Sequence, residues 1–221
     1  MGAQIPVIAL DGPAGAGKGT VSRAIAKRLG WHYLDSGAIY RSLAVAVEDA
    51  GVALDDIAGL VAVAEGMSLN FETGEALTVI LNGQDISNRI TTETCGNITS
   101  KIAAIGPVRL ALLQKQREFR QNPGLVADGR DMGTVVFTDA RHKVYLTASA
   151  GERARRRYKQ LKEKGIDVSL TSLTKEIEER DRRDMERSEA PLKMAEDAVL
   201  VDSSNMSIEE VIARCLALIE T

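Results

Sequence analysis

The chain has 221 residues, 44% of them hydrophobic, and a formal net charge of −3 at pH 7. This length suits one sizeable domain or a core with a subdomain, and the hydrophobic share is that of a soluble globular protein. Because the charge is slightly negative and the basic residues are not gathered at either end, we expect no nucleic-acid polymer as a partner.

Composition also restricts the chemistry that we expect. No apolar run reaches the roughly 20 residues of a membrane helix, and the N-terminal apolar stretch is short, so we expect no membrane and a cytoplasmic protein. The two cysteines, Cys95 and Cys215, lack metal-ligand spacing, which predicts reduced thiols. The chain has only two histidines, so catalysis must depend on carboxylates, guanidinium groups and a cofactor.

The first 50 residues predict alternating strands and helices. Residues 6–10 form an apolar run, and Val21, Ile25 and Leu29 recur on one helix face before Gly30, a typical C-terminal cap. A strand at 31–34 and a helix at 38–50 follow. This succession predicts an α/β fold with a parallel sheet wrapped by helices.

A different pattern interrupts this order. MSLNF at 67–71 alternates apolar and polar residues, TGEA at 73–76 predicts a turn, and LTVIL at 77–81 predicts a second strand. Asn82 and Gly83 then predict another turn. We therefore expect a small antiparallel sheet within a β-rich insert at 63–91.

The remaining chain predicts further α/β core and a polar arm. Helices are expected from about residue 92 and after Pro107, and strands at 125–127, 143–146 and 199–201. Residues 158–187 are mostly charged and polar, as in a helical arm, and we expect a lid at 153–189. The core is then 1–62, 92–152 and 190–221. Ser149 with Glu152 and Ser207 with Glu210 predict capping boxes at the starts of two helices. In the second of these helices, we expect Ile208, Val211, Ile212 and Leu216 to face inward.

The segment from Gly12 to Lys18 satisfies the phosphate-binding pattern G-x-x-x-x-G-K between a predicted strand and a helix. Gly15 and Gly17 allow backbone N–H groups to turn towards phosphate oxygens, and Lys18 would reach the outer phosphates. Gly19 replaces the usual Ser or Thr, so we expect Thr20 to supply the hydroxyl. The sequence lacks the NKxD of GTPases, and its small size favours a small-molecule kinase over motor and transport ATPases.

DSGAIYR at 35–41 follows the second predicted strand, where ligands of parallel sheets bind. Asp35 and Ser36 either contact a ligand or only cap the next helix. Arg41 favours a ligand, because a cation in the first turn opposes the helix dipole.

DGRDMG at 128–133 also follows an apolar run. Asp128 resembles the acidic residue that supports Mg²⁺ in P-loop enzymes. Arg130 and Asp131 either belong to the site or form a surface ion pair. The glycines on both sides favour the site.

Arginines cluster in the predicted arm. Arg153 and Arg157 share one helix face, and Arg180, Asp184 and Arg187 share another. These faces either belong to a closing lid or are solvated.

Taken together, the chain resembles bacterial cytidylate kinases of the nucleoside monophosphate kinase family. The resemblance extends from GPAGAGKGT through DSGAIYR, the β-rich insert, ADGRDMGTVVF and the ERD segment to APL. It implies transfer of the γ-phosphate of ATP to CMP or dCMP, giving ADP and CDP or dCDP in pyrimidine nucleotide metabolism. It also implies Mg²⁺, and we expect a monomer.

The resemblance also implies roles for individual residues. ATP would be bound by Gly12, Pro13, Ala14, Gly15, Ala16, Gly17, Lys18, Gly19, Thr20 and Arg153, with Thr20 near Mg²⁺. CMP would be bound at its phosphate by Arg41 and Arg130, at cytosine by Ser100, Arg109, Asp131 and Arg187, and near the sugar by Ser36, Arg180 and Asp184. Asp35 would also belong to the CMP site. Lys18, Arg130 and Arg157 would act in transfer. The alternatives are a P-loop kinase for shikimate, gluconate or dephospho-coenzyme A, and a nucleotide sensor without turnover.

Overall fold

The computed structural model describes residues 4–73, 77–163 and 165–219. The chain divides into two compact units. The larger unit comprises Met1–Leu34 and Phe119–Thr221, and the smaller unit comprises Asp35–Glu118. Each unit has buried apolar residues of its own, such as Ile8 in the larger unit and Leu43 in the smaller unit.

The main sheet confirms the predicted α/β class, because its central strands are parallel. Its strands are β1 (Val7–Asp11), β2 (His32–Asp35), β6 (Leu125–Gly129), β7 (His142–Thr147) and β8 (Val199–Asp202), in the order β2-β6-β1-β7-β8. Strand β1 is parallel to β6 and β7, and β7 is parallel to β8. Every residue of β1 and β6 is buried, as in the continuous apolar runs of parallel sheets.

Helices and short turns complete both units. The helices are α1 (Lys18–Leu29), α2 (Ser36–Ala50), α3 (Ile57–Gly66), α4 (Glu93–Ile102), α5 (Gly106–Arg117), α6 (Ala150–Glu163), α7 (Leu170–Glu186) and α8 (Ile208–Ile219). A 3₁₀ turn covers Arg89–Thr91, and a π-helical turn covers Met132–Val136. As predicted, Gly30 ends α1 in the left-handed conformation, and Pro107 lies in the first turn of α5.

The predicted antiparallel sheet is present in the smaller unit. Strand β3 (Leu69–Thr73) pairs with β4 (Leu77–Leu81), which pairs with β5 (Gln84–Asp85). In the turn predicted at TGEA, residues 74–76 lie outside the described residues.

The polar segment predicted as a helical arm contains two helices. Helix α6 ends at Glu163 and α7 begins at Leu170, where the Ser169 hydroxyl accepts from the Ser172 amide. Ala154, Leu161 and Leu173 form a buried apolar cluster of the two helices, and Tyr158, Val168 and Ile177 pack against it. The few apolar residues of this polar segment therefore provide a core of their own, which charge content alone conceals.

Two predictions about helix ends and faces need correction. The Glu152 amide donates to Ser149, but the Ser149 amide donates to Ser204, so only half of that capping box forms. The box at Ser207 and Glu210 is complete. Ile208 was expected inward but is 53% exposed, because it lies in the solvent-exposed first turn of α8. Inward packing comes from Val211, Leu216 and, unpredicted, Cys215.

Candidate active site

The glycine-rich loop between β1 and α1 has a backbone that requires glycine. Gly12, Gly15 and Gly17 have φ values of 148°, 76° and 92°. A Cβ at Gly12 would lie 1.9 Å from the Leu146 carbonyl oxygen, so no other residue fits there without movement.

Helix α1 begins without a side-chain cap. Its N-cap is Gly17, whereas α2, α3, α4 and α7 are each capped by a side chain. Helix α5 also lacks a side-chain cap, but it has Pro107 in its first turn. The first-turn amides of α1 thus meet no capping side chain, as expected of a phosphate-binding helix start. Lys18 is buried, and its ammonium donates to the Pro13 carbonyl at 2.9 Å.

Arg153 lies in α6 and forms hydrogen bonds with both the glycine-rich loop and α7. Its guanidinium donates to the Ala14 carbonyl at 3.0 Å and to the Ala148 carbonyl at 2.9 Å. It also forms a two-pronged ion pair with Asp181 of α7. Sequence reasoning missed Asp181, although it belongs to the ERD segment.

A second arginine near the loop was also passed over. Arg156 donates to the Ser203 carbonyl at 2.7 Å and to Glu152 at 3.1 Å, and Nη1 lies 4.0 Å from the Cβ position at Gly17. The buried Ser203 hydroxyl lies 3.5 Å from the Ala16 carbonyl. The predicted Arg157, on the same helix, is partly exposed.

Asp11 joins β1 to the DGRDMG segment. One carboxylate oxygen accepts from the Met132 amide and the other from the Gly133 amide, both at 2.8 Å. Burial raises the pKa of Asp11 to about 6, although these amides and Lys18 act in the opposite direction. Sequence reasoning treated Asp11 only as the end of an apolar run.

The charged residues of DGRDMG do not form a surface pair. Arg130 Nε donates to Asp184 Oδ2 at 2.9 Å, and Asp131 is buried. Burial alone would raise the pKa of Asp184, but Arg130, with Arg180 and Arg187, outweighs it and lowers that pKa. Arg130 thus pairs with Asp184, which the sequence analysis placed on one helix face with Arg180 and Arg187. Arg187 Nε also donates to the Ala190 carbonyl at 2.6 Å.

In the smaller unit, Asp35 caps α2 as the simpler alternative predicted. Its Oδ1 accepts from the Ala38 amide at 2.7 Å, and its Oδ2 lies 3.2 Å from Arg41 Nη2. Helix α2 begins at Ser36 rather than near residue 38, so Arg41 lies in its second turn, and the anion that it faces is Asp35. Ser36 does not cap the helix but donates to Gln116 Oε1 at 2.7 Å.

Two residues of the smaller unit are predicted to contact cytosine: Ser100 lies in α4 and Arg109 lies in α5. Arg109 donates to the Ala103 carbonyl at 3.1 Å, and its guanidinium lies 5.6 Å from the centre of the Tyr40 ring. The buried Ser100 oxygen has no hydrogen-bond partner among the described residues. An unpaired buried hydroxyl is costly unless a ligand satisfies it.

The donors for a divalent cation are few. Across the described ranges, no group of three or more His, Cys, Asp or Glu residues has metal-site geometry. Thr20 is exposed, whereas Asp128 is buried with Oδ2 3.7 Å from the Cβ position at Gly19. A carboxylate beside a phosphate loop suits Mg²⁺, which keeps most of its waters and binds phosphate oxygens.

Comparison with known proteins adds the decisive observation. The family model described as cytidylate kinase matches residues 8–221. The chain belongs to the cytidylate kinase family.

Two relatives show how close the match is. The cytidylate kinase of Methylococcus capsulatus (strain ATCC 33009 / NCIMB 11132 / Bath) is 62% identical, with 98% of each chain covered. That of Aeromonas salmonicida (strain A449) is 57% identical, covering 97% of this chain and 94% of the relative. Among solved structures, a gluconokinase from Sinorhizobium meliloti 1021 gives a TM-score of 0.47 at 16% identity, covering 98% of this chain and 92% of that one. A similarity at that level says nothing about whether the two proteins share a function.

Membership of the cytidylate kinase family confirms the resemblance read from the motifs. The individual site residues, the insert and lid boundaries and Mg²⁺ remain predictions. None of the described helices is long and apolar enough to traverse a bilayer.

Proposed function

We propose that this chain transfers the γ-phosphate of ATP to CMP or dCMP, giving ADP and CDP or dCDP. The observation that carries the proposal is the cytidylate kinase match over residues 8–221, with relatives of that name aligned over nearly their whole length. The glycine-rich loop, the uncapped start of α1 and the buried Lys18 support the assignment of ATP as the phosphate donor.

In the larger unit, we assign ATP phosphates to residues 12–20 and phosphoryl transfer to Lys18, Arg130 and Arg157. Arg130 already faces the carboxylate of Asp184. A guanidinium that pairs with a carboxylate can also pair with a phosphate. We assign Asp131 and Arg187 to cytosine, and Arg180 and Asp184 to the sugar.

In the smaller unit, we assign the CMP phosphate to Arg41 and cytosine to Ser100 and Arg109, with Asp35 and Ser36 towards the sugar. Arg41 is held by Asp35, and Arg109 packs over Tyr40. Such preorganisation lowers the entropy lost when a ligand binds.

The reaction needs no general base in this chain. The attacking oxygen belongs to the CMP phosphate, whose second pKa is about 6, so it is ionised at neutral pH. Lys18 and the arginines would neutralise charge and align the two oxygens. When bound, Mg²⁺ supplies further neutralisation of the ATP phosphates, and Asp128 and Thr20 are the residues that we assign to it. Exclusion of water by the arm would prevent hydrolysis of ATP.

An acceptor panel tests this proposal. ADP formation is measured with CMP, dCMP, UMP, AMP, shikimate, gluconate and dephospho-coenzyme A at equal concentration. We expect CMP and dCMP to give the highest rates. A faster rate with another acceptor would reassign the kinase, and ATP binding without turnover on any acceptor would favour a sensor.

We further propose a cytoplasmic monomer. Both cysteines are free, as in proteins of a reducing compartment. Burial raises the pKa of the Cys215 thiol to about 11, which keeps it protonated and unreactive. Light scattering after size exclusion should give the mass of one chain, and cell fractionation should recover the protein with the cytoplasm.

A further inference from the structure

Tyr33 makes a contact that core packing alone does not require. It lies in β2 and is buried, and its hydroxyl donates to Asp128 Oδ2 at 2.6 Å. The guanidinium of Arg23 lies 6.0 Å from the centre of its ring. A hydrogen bond of this length to a carboxylate is a strong one and fixes the carboxylate's orientation.

The hydroxyl lies beside the loop position that lacks a side chain. In the pattern G-x-x-x-x-G-K-[ST], the residue after the lysine carries the hydroxyl that binds Mg²⁺, and here that residue is Gly19. A Cβ at Gly19 would lie 3.5 Å from the Tyr33 hydroxyl oxygen and 3.7 Å from Asp128 Oδ2. The phenol and the carboxylate therefore lie in the region that a serine or threonine side chain would face.

We propose that Tyr33 is a positioning residue of the divalent-cation site, which orients the Asp128 carboxylate beside Gly19 for the cation that accompanies ATP. The proposal depends on the proposed kinase function. Partners that orient a carboxylate near a metal commonly contribute ten- to a hundredfold to metal affinity. Tyr33 does not touch the cation or the substrate in this proposal, and it acts through Asp128.

The test separates a role towards the cation from a role in packing. ADP affinity is measured by calorimetry in EDTA and in saturating Mg²⁺, and the ratio of the two dissociation constants gives the gain due to the cation. Tyr33→Phe removes only the hydroxyl. We expect it to leave the affinity in EDTA unchanged and to reduce the Mg²⁺-dependent gain about tenfold.

Two further variants make the test specific. Tyr158→Phe removes the hydroxyl of a partly buried tyrosine of α6 that packs against the apolar cluster shared with α7, and it should retain the full gain. Asp128→Ala should lower the gain by itself, and Tyr33→Phe should then add no further loss, because the two residues act as a pair.

The proposal is overturned if Tyr33→Phe retains the wild-type gain, whatever its melting temperature, or if its effect persists undiminished in Asp128→Ala. Failure of the kinase assignment would look different. The wild-type protein would then show no CMP-dependent ADP formation, whatever the behaviour of Tyr33→Phe.

Discussion

Helices α1 and α2 each follow a strand of the main sheet, yet they begin in opposite ways. Helix α1 begins after Gly17, and no side chain caps its first-turn amides. Helix α2 begins at Asp35, which caps its own helix and also holds Arg41. The first helix start leaves its backbone dipoles without a capping side chain, as the proposed ATP site requires, whereas at the second start Asp35 caps the backbone and pairs with the cation of Arg41.

This difference suits two phosphates of different kinds. Backbone amides can surround several oxygens at once and suit a polyphosphate chain. A guanidinium held by a carboxylate offers two parallel donors, which suit a single terminal phosphate. Substitutions at each helix start should therefore affect different reactants.

Lys18→Ala should have the largest effect. Removing the charged donor from the loop should lower kcat by about 10²- to 10³-fold, because it stabilises charge in the transition state. The protein should stay folded, since the Pro13 carbonyl that accepts from the ammonium belongs to the same loop and the core is apolar. The matched control is Lys27→Ala, an exposed lysine of the same helix. Near-normal turnover in Lys18→Ala would contradict the loop assignment.

Asp11 should make folding stability depend on pH. Its pKa is raised from 3.8 to about 6, so the native state retains a proton that the unfolded state loses. The contribution of Asp11 to the free energy of unfolding is complete below about pH 4 and is lost as the pH rises through 6. It amounts to at most about 3 kcal/mol. The free energy of unfolding, measured with urea, should fall over this pH range in the wild type relative to Asp11→Asn. A difference between the two that is constant with pH would refute it.

Arg41→Ala should act on the acceptor rather than on ATP. We expect KM for CMP to rise by about 10- to 100-fold, as for a lost charged hydrogen bond, with KM for ATP nearly unchanged. Arg89→Ala removes a partly exposed arginine of the same unit and serves as control. Equal losses for both substrates would mean that Arg41 only supports the helix.

Base choice should depend on Asp131 and Arg109 separately. A carboxylate accepts from the cytosine amine, and a guanidinium donates to the ring nitrogen and carbonyl, whereas uracil presents mismatched groups. Each of Asp131→Asn and Arg109→Met should therefore lower the CMP-to-UMP ratio of kcat/KM about tenfold. Steady-state kinetics with both acceptors measures this. If a variant slows CMP and UMP by the same factor, that residue does not recognise the base.

Asp35→Ala should give the smallest effect, on stability. Loss of the helix cap should cost about 1 kcal/mol of unfolding free energy. Asp56→Ala removes the corresponding cap of α3 and should cost a similar amount without affecting CMP. If Asp35→Ala also raises KM for CMP, the carboxylate contacts CMP or orients Arg41 as well as capping the helix.

The local features were predictable from sequence because their causes are local. The loop from Gly12 to Thr20, the caps at Gly30 and Ser207, and the alternation in residues 67–81 each depend on neighbours within a few positions. The same holds for the order of strands and helices, which follows from hydrophobic periodicity. These motifs also sufficed to predict the family, since their order along the chain is specific.

Tertiary structure decided which charged groups meet. Arg130 pairs with Asp184, which lies 54 positions away, and Asp11 accepts from amides 121 and 122 positions away. Arg153 meets Asp181, and Tyr33 meets Asp128, because parallel strands and packed helices bring distant segments together. Sequence spacing carries no signal for such pairs, since each depends on the packing of elements whose connecting segments vary in length and direction.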